Sequence, residues 1–333
     1  MKNILLLTTG GTIACVETDK GLSPRLDGQW LINKIPEIKT LCNVSVKQVL
    51  NIDSSNISSA DWTLISNAIY EGIQKYDGIV ITHGTDTMAY TTSIISYVLQ
   101  NLNKPVVFTG SQVPITHELS DGTKNLLDAF KVATSQLKGV CLVFNGKIIR
   151  GTRAIKIHSS NTDAFVSCND SYLGKIISGK VYLENIEKIE KNTIEFYPNI
   201  CDKVFLLKLT PGISDSIVDY IISQSYKGVV IEAFGLGGIP SKYNDLLEKL
   251  QNMTSKHKIP VIVVSQCVYD GTDLNVYNVG VKALESGLIS GKDMTTEATV
   301  TKLMWALGQT SVYKEIKKIM HKNICGEINA AIS

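Results

Sequence analysis

Four short segments hold most of the side chains able to do chemistry. His83-Gly84-Thr85-Asp86-Thr87 puts an imidazole, a hydroxyl and a carboxylate in one turn. Thr8-Thr9-Gly10-Gly11-Thr12 presents three hydroxyls around two glycines, which let a backbone approach a ligand closely. Asp53-Ser54-Ser55-Asn56 offers a carboxylate and two hydroxyls, a set suited to the ammonium and carboxylate of one small zwitterion. The run Arg150-Gly151-Thr152-Arg153-Ala154-Ile155-Lys156 ends on a lysine set among Ala154, Ile155 and Ile157. A threonine hydroxyl is a poor nucleophile without an adjacent base, and a neutral lysine held by a carboxylate can be that base. Thr85, Asp86 and Lys156 together form a candidate hydroxyl, base and orienter.

Each segment alone has a plainer reading. A lone Asp at the position of Asp86 is usually an N-terminal helix charge, and His83 reads as a packed or loop-fixing histidine before it reads as a base. Asp53 to Asn56 serves equally as an Asx or Ser turn capping the next helix. Gly10-Gly11-Thr12 is also a tight turn, and a nucleotide loop is disfavoured by the lack of G-x-G-x-x-G and of Gly-Lys-Ser/Thr. The histidines at 83, 117, 158, 257 and 321 include no H-E-x-x-H and join no Cys/His cluster, so no metal is expected.

These segments follow a repeating rhythm of a short β-branched run, a Gly/Thr/Ser-rich turn and a longer amphipathic stretch. Ile4–Thr8, Gly78–Thr82, Pro105–Thr109 and Val140–Phe144 are the first such runs, and Thr87–Leu102 has helical spacing. Continuous apolar strands alternating with helices predict an α/β fold with a mostly parallel sheet between helices. Ser58 and Asp61 have the spacing of a helix capping box. From 176 to 202 the texture turns polar and Glu/Lys-rich, which makes that stretch the linker candidate, after which Val204–Leu209, Gly228–Ala233 and Pro260–Ser265 resume the rhythm and a helical tail begins at Thr295. The expected organisation is a larger N-terminal domain over 1–190, a linker over 191–203 and a smaller α/β domain with a parallel sheet over 204–333. In open α/β sheets ligands bind beyond the C-terminal strand ends, and each chemistry-bearing cluster falls at such an end.

Composition narrows the function classes. The chain has 333 residues, 44% hydrophobic and 19% charged, enough for about two domains with real cores. Lys+Arg minus Asp+Glu is 33 − 31 = +2, so no basic field points to nucleic acid or an anionic membrane. The first eight residues lack the apolar stretch of a signal peptide, and no run approaches the roughly 18 apolar residues of a membrane helix. Seven scattered cysteines without a C-x-x-C read as thiols in a reducing compartment, so the expected location is cytoplasmic.

Taken together, Thr9-Gly10-Gly11-Thr12-Ile13-Ala14 and His83-Gly84-Thr85-Asp86-Thr87-Met88 resemble the two signature motifs of the bacterial-type L-asparaginases. Thr109-Gly110-Ser111-Gln112, Arg150 to Lys156 and Gln266-Cys267 extend the resemblance, and Asp293-Met294-Thr295-Thr296-Glu297-Ala298 looks like the cytoplasmic, type I branch. It implies hydrolysis of L-asparagine to L-aspartate and ammonia without a cofactor, in a homotetramer or homodimer. By motif, Thr12 would be the nucleophile, with Thr85, Asp86 and Lys156 as the second catalytic group. Asp53, Ser54 and Ser55 would bind the substrate's amino and carboxylate groups with Thr85 and Asp86, and Ser111 would contact the leaving amide. Two positions depart from the pattern: residues 15–30 contain no lid tyrosine, Leu22 standing near its place, and Gly238 stands where some members carry an asparagine. Three other readings stay open: a glutaminase or mixed amidase, a non-catalytic amino-acid sensor, and an effector switch near Gln266-Cys267.

Overall fold

The computed structural model describes residues 1–19, 21–184, 193–242 and 245–329. The chain divides into two compact units, Met1–Pro198 and Asn199–Ser333. Residues 185–192, which take in most of the Glu/Lys-rich stretch and the first two residues of the expected linker, lie outside the described residues.

The first unit is built on an eight-stranded sheet. Its strands are β1 (Lys2–Gly10), β2 (Cys42–Ile52), β3 (Gly78–Thr82), β4 (Pro105–Thr109), β5 (Gly139–Phe144), β6 (Lys147–Arg150), β7 (Gly174–Ile177) and β8 (Lys180–Leu183). Their order across the sheet is β2-β1-β3-β4-β5-β6-β7-β8. The five strands from β2 to β5 run parallel, and β6, β7 and β8 add antiparallel pairings. Both faces are covered, which is why the parallel strands read as unbroken apolar runs. Ile4, Leu6, Val80, Val107 and Val143 pack on one face with helices α1 (Gly28–Lys34), α2 (Glu37–Leu41) and α5 (Gly122–Ala133). Helices α3 (Ser59–Ile73) and α4 (Met88–Val98) complete the covering, with Gly72 of α3 lying against the Leu5 side chain. The Ser58 and Asp61 box starts α3, Ser58 N–H donating to Asp61 Oδ2 at 2.9 Å.

This topology fixes where a site can form. From β1 the chain passes to β2 on one flank, then crosses to β3 on the other and proceeds outward through β4 and β5. The order therefore reverses between β1 and β3, and their C-terminal ends flank the crevice that such a reversal leaves open.

Two expectations need correction. The helical segment expected over Thr87–Leu102 ends at Val98, because Leu99 and Gln100 leave the helix to pair antiparallel with Phe196 and Glu195. The polar alternation after 176 contains the edge hairpin β7–β8 rather than linker throughout. Its turn, Ser178-Gly179, adopts φ of 48° and 75°, the left-handed pair that suits a two-residue hairpin.

The second unit has four parallel strands among the described residues, β9 (Val204–Lys208), β10 (Gly228–Ala233), β11 (Val261–Ser265) and β12 (Ile289–Ser290), in sequential order. Helices α6 (Ser216–Ser223), α7 (Leu246–Ser255) and α8 (Asn278–Glu285) join them and pack Val218, Ile221, Leu250, Met253 and Ala283 onto Val229, Ile231 and Val263. Helix α9 (Thr296–Gln309) lies on the sheet with Leu303 against Gly228, and α10 (Tyr313–His321) packs on α9. Inside α9, Lys302 Nζ meets Glu327 Oε1 at 2.6 Å with both side chains fully buried. Because these four strands follow one another without reversal, they leave no switch-point crevice.

Candidate active site

Three loops meet at the reversal point because three positions have no side chain. Gly10 and Gly11 follow β1 with φ of 98° and 77°, a left-handed conformation that bulky residues avoid. A Cβ on Gly11 would fall 2.5 Å from Gly84 Cα, and one on Gly84 would fall 2.5 Å from Ser54 Oγ. The turn after β1, the turn after β3 and the turn after β2 are thus in direct contact. Gly11 N–H also donates to Ile52 O at 3.0 Å, tying the first loop to the end of β2.

On this frame Thr12 opens a 3-10 turn, Thr12–Ala14, half-buried beside Gly11. Thr85 is buried in the turn after β3, and Asp86 beside it is exposed. Lys156 ends a short strand, Ala154–Lys156, that pairs with Phe165–Ser167. From there its ammonium donates to Thr85 Oγ1 at 2.8 Å and to Asp86 Oδ1 at 2.7 Å. The lysine side chain is 17% exposed, so the ion pair is partly withdrawn from solvent. The three residues grouped from sequence therefore touch, across a separation of 71 residues for Lys156 and Thr85.

Asp53 caps the 3-10 turn Ser54–Asn56, its Oδ1 accepting from Ser55 N and Ser55 Oγ, each at 2.9 Å. The turn-forming role is thus realised, and the Ser55 hydroxyl proton is committed to it. The Asp53 carboxylate also acts on the first loop: burial first, and then its charge, push the Cys15 thiol up from its ordinary value. Ser54 is buried, and its carbonyl accepts from Thr87 Oγ1 at 2.8 Å, joining the β2 and β3 turns a second time. Ser111, after β4, is 1% exposed and its hydroxyl meets no partner among the described residues. Nor does any acceptor among them meet the backbone N–H of Thr12 or Thr85. Unspent donors at loop ends are the groups that can stabilise a developing oxyanion.

His83 supports this arrangement from below. Its Nδ1–H donates to Gly84 O at 2.7 Å, and its Nε2 accepts from Thr91 Oγ1 at 3.0 Å. Thr91 Oγ1 accepts in turn from Trp62 Nε1–H at 3.0 Å. The ring is completely buried, and burial holds it neutral, with a pKa lowered to about 4. It fixes a loop, as its sequence reading favoured, and is turned away from base chemistry.

Gln112 was missed as a site residue. Its Oε1 accepts from Thr85 Oγ1 at 3.0 Å. The only sequence signal for it is its position directly after Ser111 in the turn that leaves β4.

Several other motif positions sit elsewhere. Leu22 lies in a ribbon pairing Cys15–Thr18 with Gly21–Pro24 and is largely exposed. Gln266 in the second unit spends its amide on Leu209 O and Glu232 O, and Cys267 is exposed. Among the described residues no group of three or more His, Cys, Asp or Glu is placed to hold a metal ion, and no helix is long and apolar enough to cross a membrane.

Comparison with known proteins shows the family and the fold. Residues 3–189 match the family model described as Asparaginase, N-terminal, and residues 203–320 match Glutaminase/Asparaginase C-terminal domain. An L-asparaginase of Thermococcus kodakarensis is 40% identical over 330 residues, covering 98% of this chain and 99% of that protein. A glutamyl-tRNA(Gln) amidotransferase chain of Pyrococcus abyssi is 36% identical over 341 residues, covering 98% of this chain and 77% of that protein. The solved structure of the thermostable L-asparaginase from Thermococcus kodakarensis superposes with a TM-score of 0.92 at 39% identity, covering 98% of this chain and 99% of that one.

Proposed function

The chain belongs to the asparaginase family and is an amidohydrolase; from that premise we propose that it is an L-asparaginase of the cytoplasmic, type I branch, converting L-asparagine to L-aspartate and ammonia. The observation that carries the proposal is the bifurcated contact of Lys156 with Thr85 Oγ1 and Asp86 Oδ1 beside the Thr12 loop. Thr12 Oγ attacks the side-chain carbonyl carbon of asparagine, and negative charge builds on the carbonyl oxygen. The free N–H groups of Thr12 and Thr85 are suited to receive that charge. The C–N bond breaks as the proton lost from Thr12 Oγ passes to the departing nitrogen, and ammonia leaves an aspartyl ester on Thr12. Thr85, with Lys156 in its neutral form as base and Asp86 as orienter, activates the water that hydrolyses the ester. Asp53 and Asp86 carry the charge to hold the substrate's ammonium, and the reading assigns Ser54 and Ser55 to its carboxylate and Ser111 to the leaving amide. The reaction requires no cofactor, and the working form is a homodimer or homotetramer.

Ammonia release from L-asparagine and L-glutamine, measured side by side for the wild type and Thr12→Ala, tests the reading. Turnover of asparagine that disappears in the variant supports it. A folded wild type that binds asparagine without turnover moves the assignment to an amino-acid sensor. One methylene separates the two amides and is worth about 1–3 kcal/mol in a pocket, so the ratio of their kcat/KM values decides between an asparaginase and a mixed amidase.

A further inference from the structure

The Thr85 hydroxyl has one proton to give, and two groups stand ready around its oxygen. Lys156 Nζ donates into it at 2.8 Å, while Gln112 Oε1 lies 3.0 Å away. Which end of the Gln112 amide faces Thr85 is settled by the other end. Its Nε2–H2 donates to His158 O and to Asn161 O, each at 3.2 Å, so both amide protons are used on carbonyls. The oxygen is therefore the end turned to Thr85, and an amide oxygen only accepts. The Thr85 proton must point at Gln112, and the side of its oxygen facing Lys156 is a lone pair.

The backbone of Gln112 is itself anchored. Its N–H donates to both Asp121 carboxylate oxygens, at 3.1 and 3.0 Å, and Val113 N–H donates to the same group at 3.0 Å. Asn125 Nδ2 donates to that carboxylate at 3.1 Å and to Gly110 O at 3.0 Å. The amide thus hangs from a braced loop, and it spans from Thr85 to the segment that directly follows Lys156.

We propose that Gln112 is a positioning residue that fixes the Thr85 side chain, keeping Oγ1 against Lys156 Nζ by accepting the hydroxyl proton in the resting state. The step itself is a turn of the Thr85 hydroxyl about Cβ–Oγ and of the neutral Lys156 amine about Cε–Nζ, after which the Thr85 Oγ–H bond breaks and a third N–H bond forms on Nζ. Without the amide oxygen the Thr85 side chain loses one of the two contacts that fix its rotamer, so the fraction with Oγ1 against Lys156 falls. This inference rests on Thr85 and Lys156 acting as proposed above.

Two substitutions separate positioning from a structural tie. Gln112→Met keeps the length of the side chain and removes the acceptor and both donors. Gln112→Glu keeps an acceptor facing Thr85 and removes both donors to His158 and Asn161. The expected result is a fall in kcat of about tenfold for Gln112→Met, the size of one lost hydrogen bond, with KM for L-asparagine within about threefold of wild type. Gln112→Glu should recover kcat to within about threefold of wild type. Unchanged turnover in Gln112→Met overturns the inference. So does a Glu variant as slow as the Met variant or slower, since that order assigns Gln112 to bracing the 158–161 segment. Thermal melting of each variant reports folding, and Gln112→Leu replaces the Met variant if that one fails to fold. A wild type that releases no ammonia from asparagine removes the functional reading and this inference with it, whereas an active wild type alongside an unaffected Met variant removes this inference alone.

Discussion

Acidification offers a direct test of the buried network under the site. His83 is neutral in the folded chain with a pKa near 4, because no water reaches the ring, and in the unfolded chain it titrates near 6.5. Between those values the unfolded state binds a proton that the folded state refuses, so stability falls as pH falls through that window. A tenfold change in proton affinity is worth about 1.36 kcal/mol, so the full difference caps the loss near 3.4 kcal/mol, of which about 2 kcal/mol is lost between pH 7.5 and pH 5. Carboxylates add their own slopes over the same range, and a variant control isolates the histidine. His83→Gln keeps an amide able to donate to Gly84 O or accept from Thr91 but has no proton to gain. Urea unfolding can be followed by tryptophan fluorescence in a Trp305→Phe background, leaving Trp30 and Trp62 as reporters within the first unit. The drop in unfolding free energy from pH 7.5 to pH 5 should be larger in that parent protein than in its His83→Gln variant by about 2 kcal/mol. Equal drops would refute the claim that His83 is held neutral by burial.

Other perturbations act on separate parts of the structure. Lys302→Met leaves the Glu327 carboxylate buried without its counter-charge and should cost about 3–5 kcal/mol, while adding Glu327→Gln removes that charge, retains an acceptor for the N–H groups of Ile324 and Cys325, and should restore most of the loss in denaturant melts. Gly11→Ala places a methyl group against Gly84 in a left-handed backbone, so it should lower stability by about 2 kcal/mol or more and abolish turnover of asparagine. Lys156→Met removes the donor to both Thr85 and Asp86, and kcat for asparagine should fall by about 10²–10⁴-fold with little change in melting temperature.

How far the sequence carries depends on whether a feature is local. The strands at Ile4–Thr8 and Pro105–Thr109 were legible because burial on both faces leaves an unbroken apolar run, and the capping box at Ser58 was legible because its partner is three residues away. The grouping of Thr85, Asp86 and Lys156 rested on side-chain chemistry and on motif resemblance, and it is recovered as two hydrogen bonds. Features decided by distant partners were not legible. Leu99-Gln100 continues a helical pattern, yet it turns to strand because Glu195-Phe196 offers a backbone ladder almost a hundred residues later. The edge hairpin at Gly174–Leu183 reads as polar texture because an edge strand buries only part of each face.

Gln112 marks the same boundary inside the site. A glutamine in a turn carries no periodicity, and nothing in its neighbours says that its amide will bridge the Thr85 turn and the carbonyls of 158 and 161. The glycines point the opposite way: Gly10, Gly11 and Gly84 were legible as loop residues, but the reason they must be glycine is the mutual contact of three turns at a strand-order reversal. Sequence thus identifies the groups that can react, and topology decides which of them meet. A residue that orients those groups, such as Gln112, emerges only once the loops are folded together, because its role is defined by partners rather than by type.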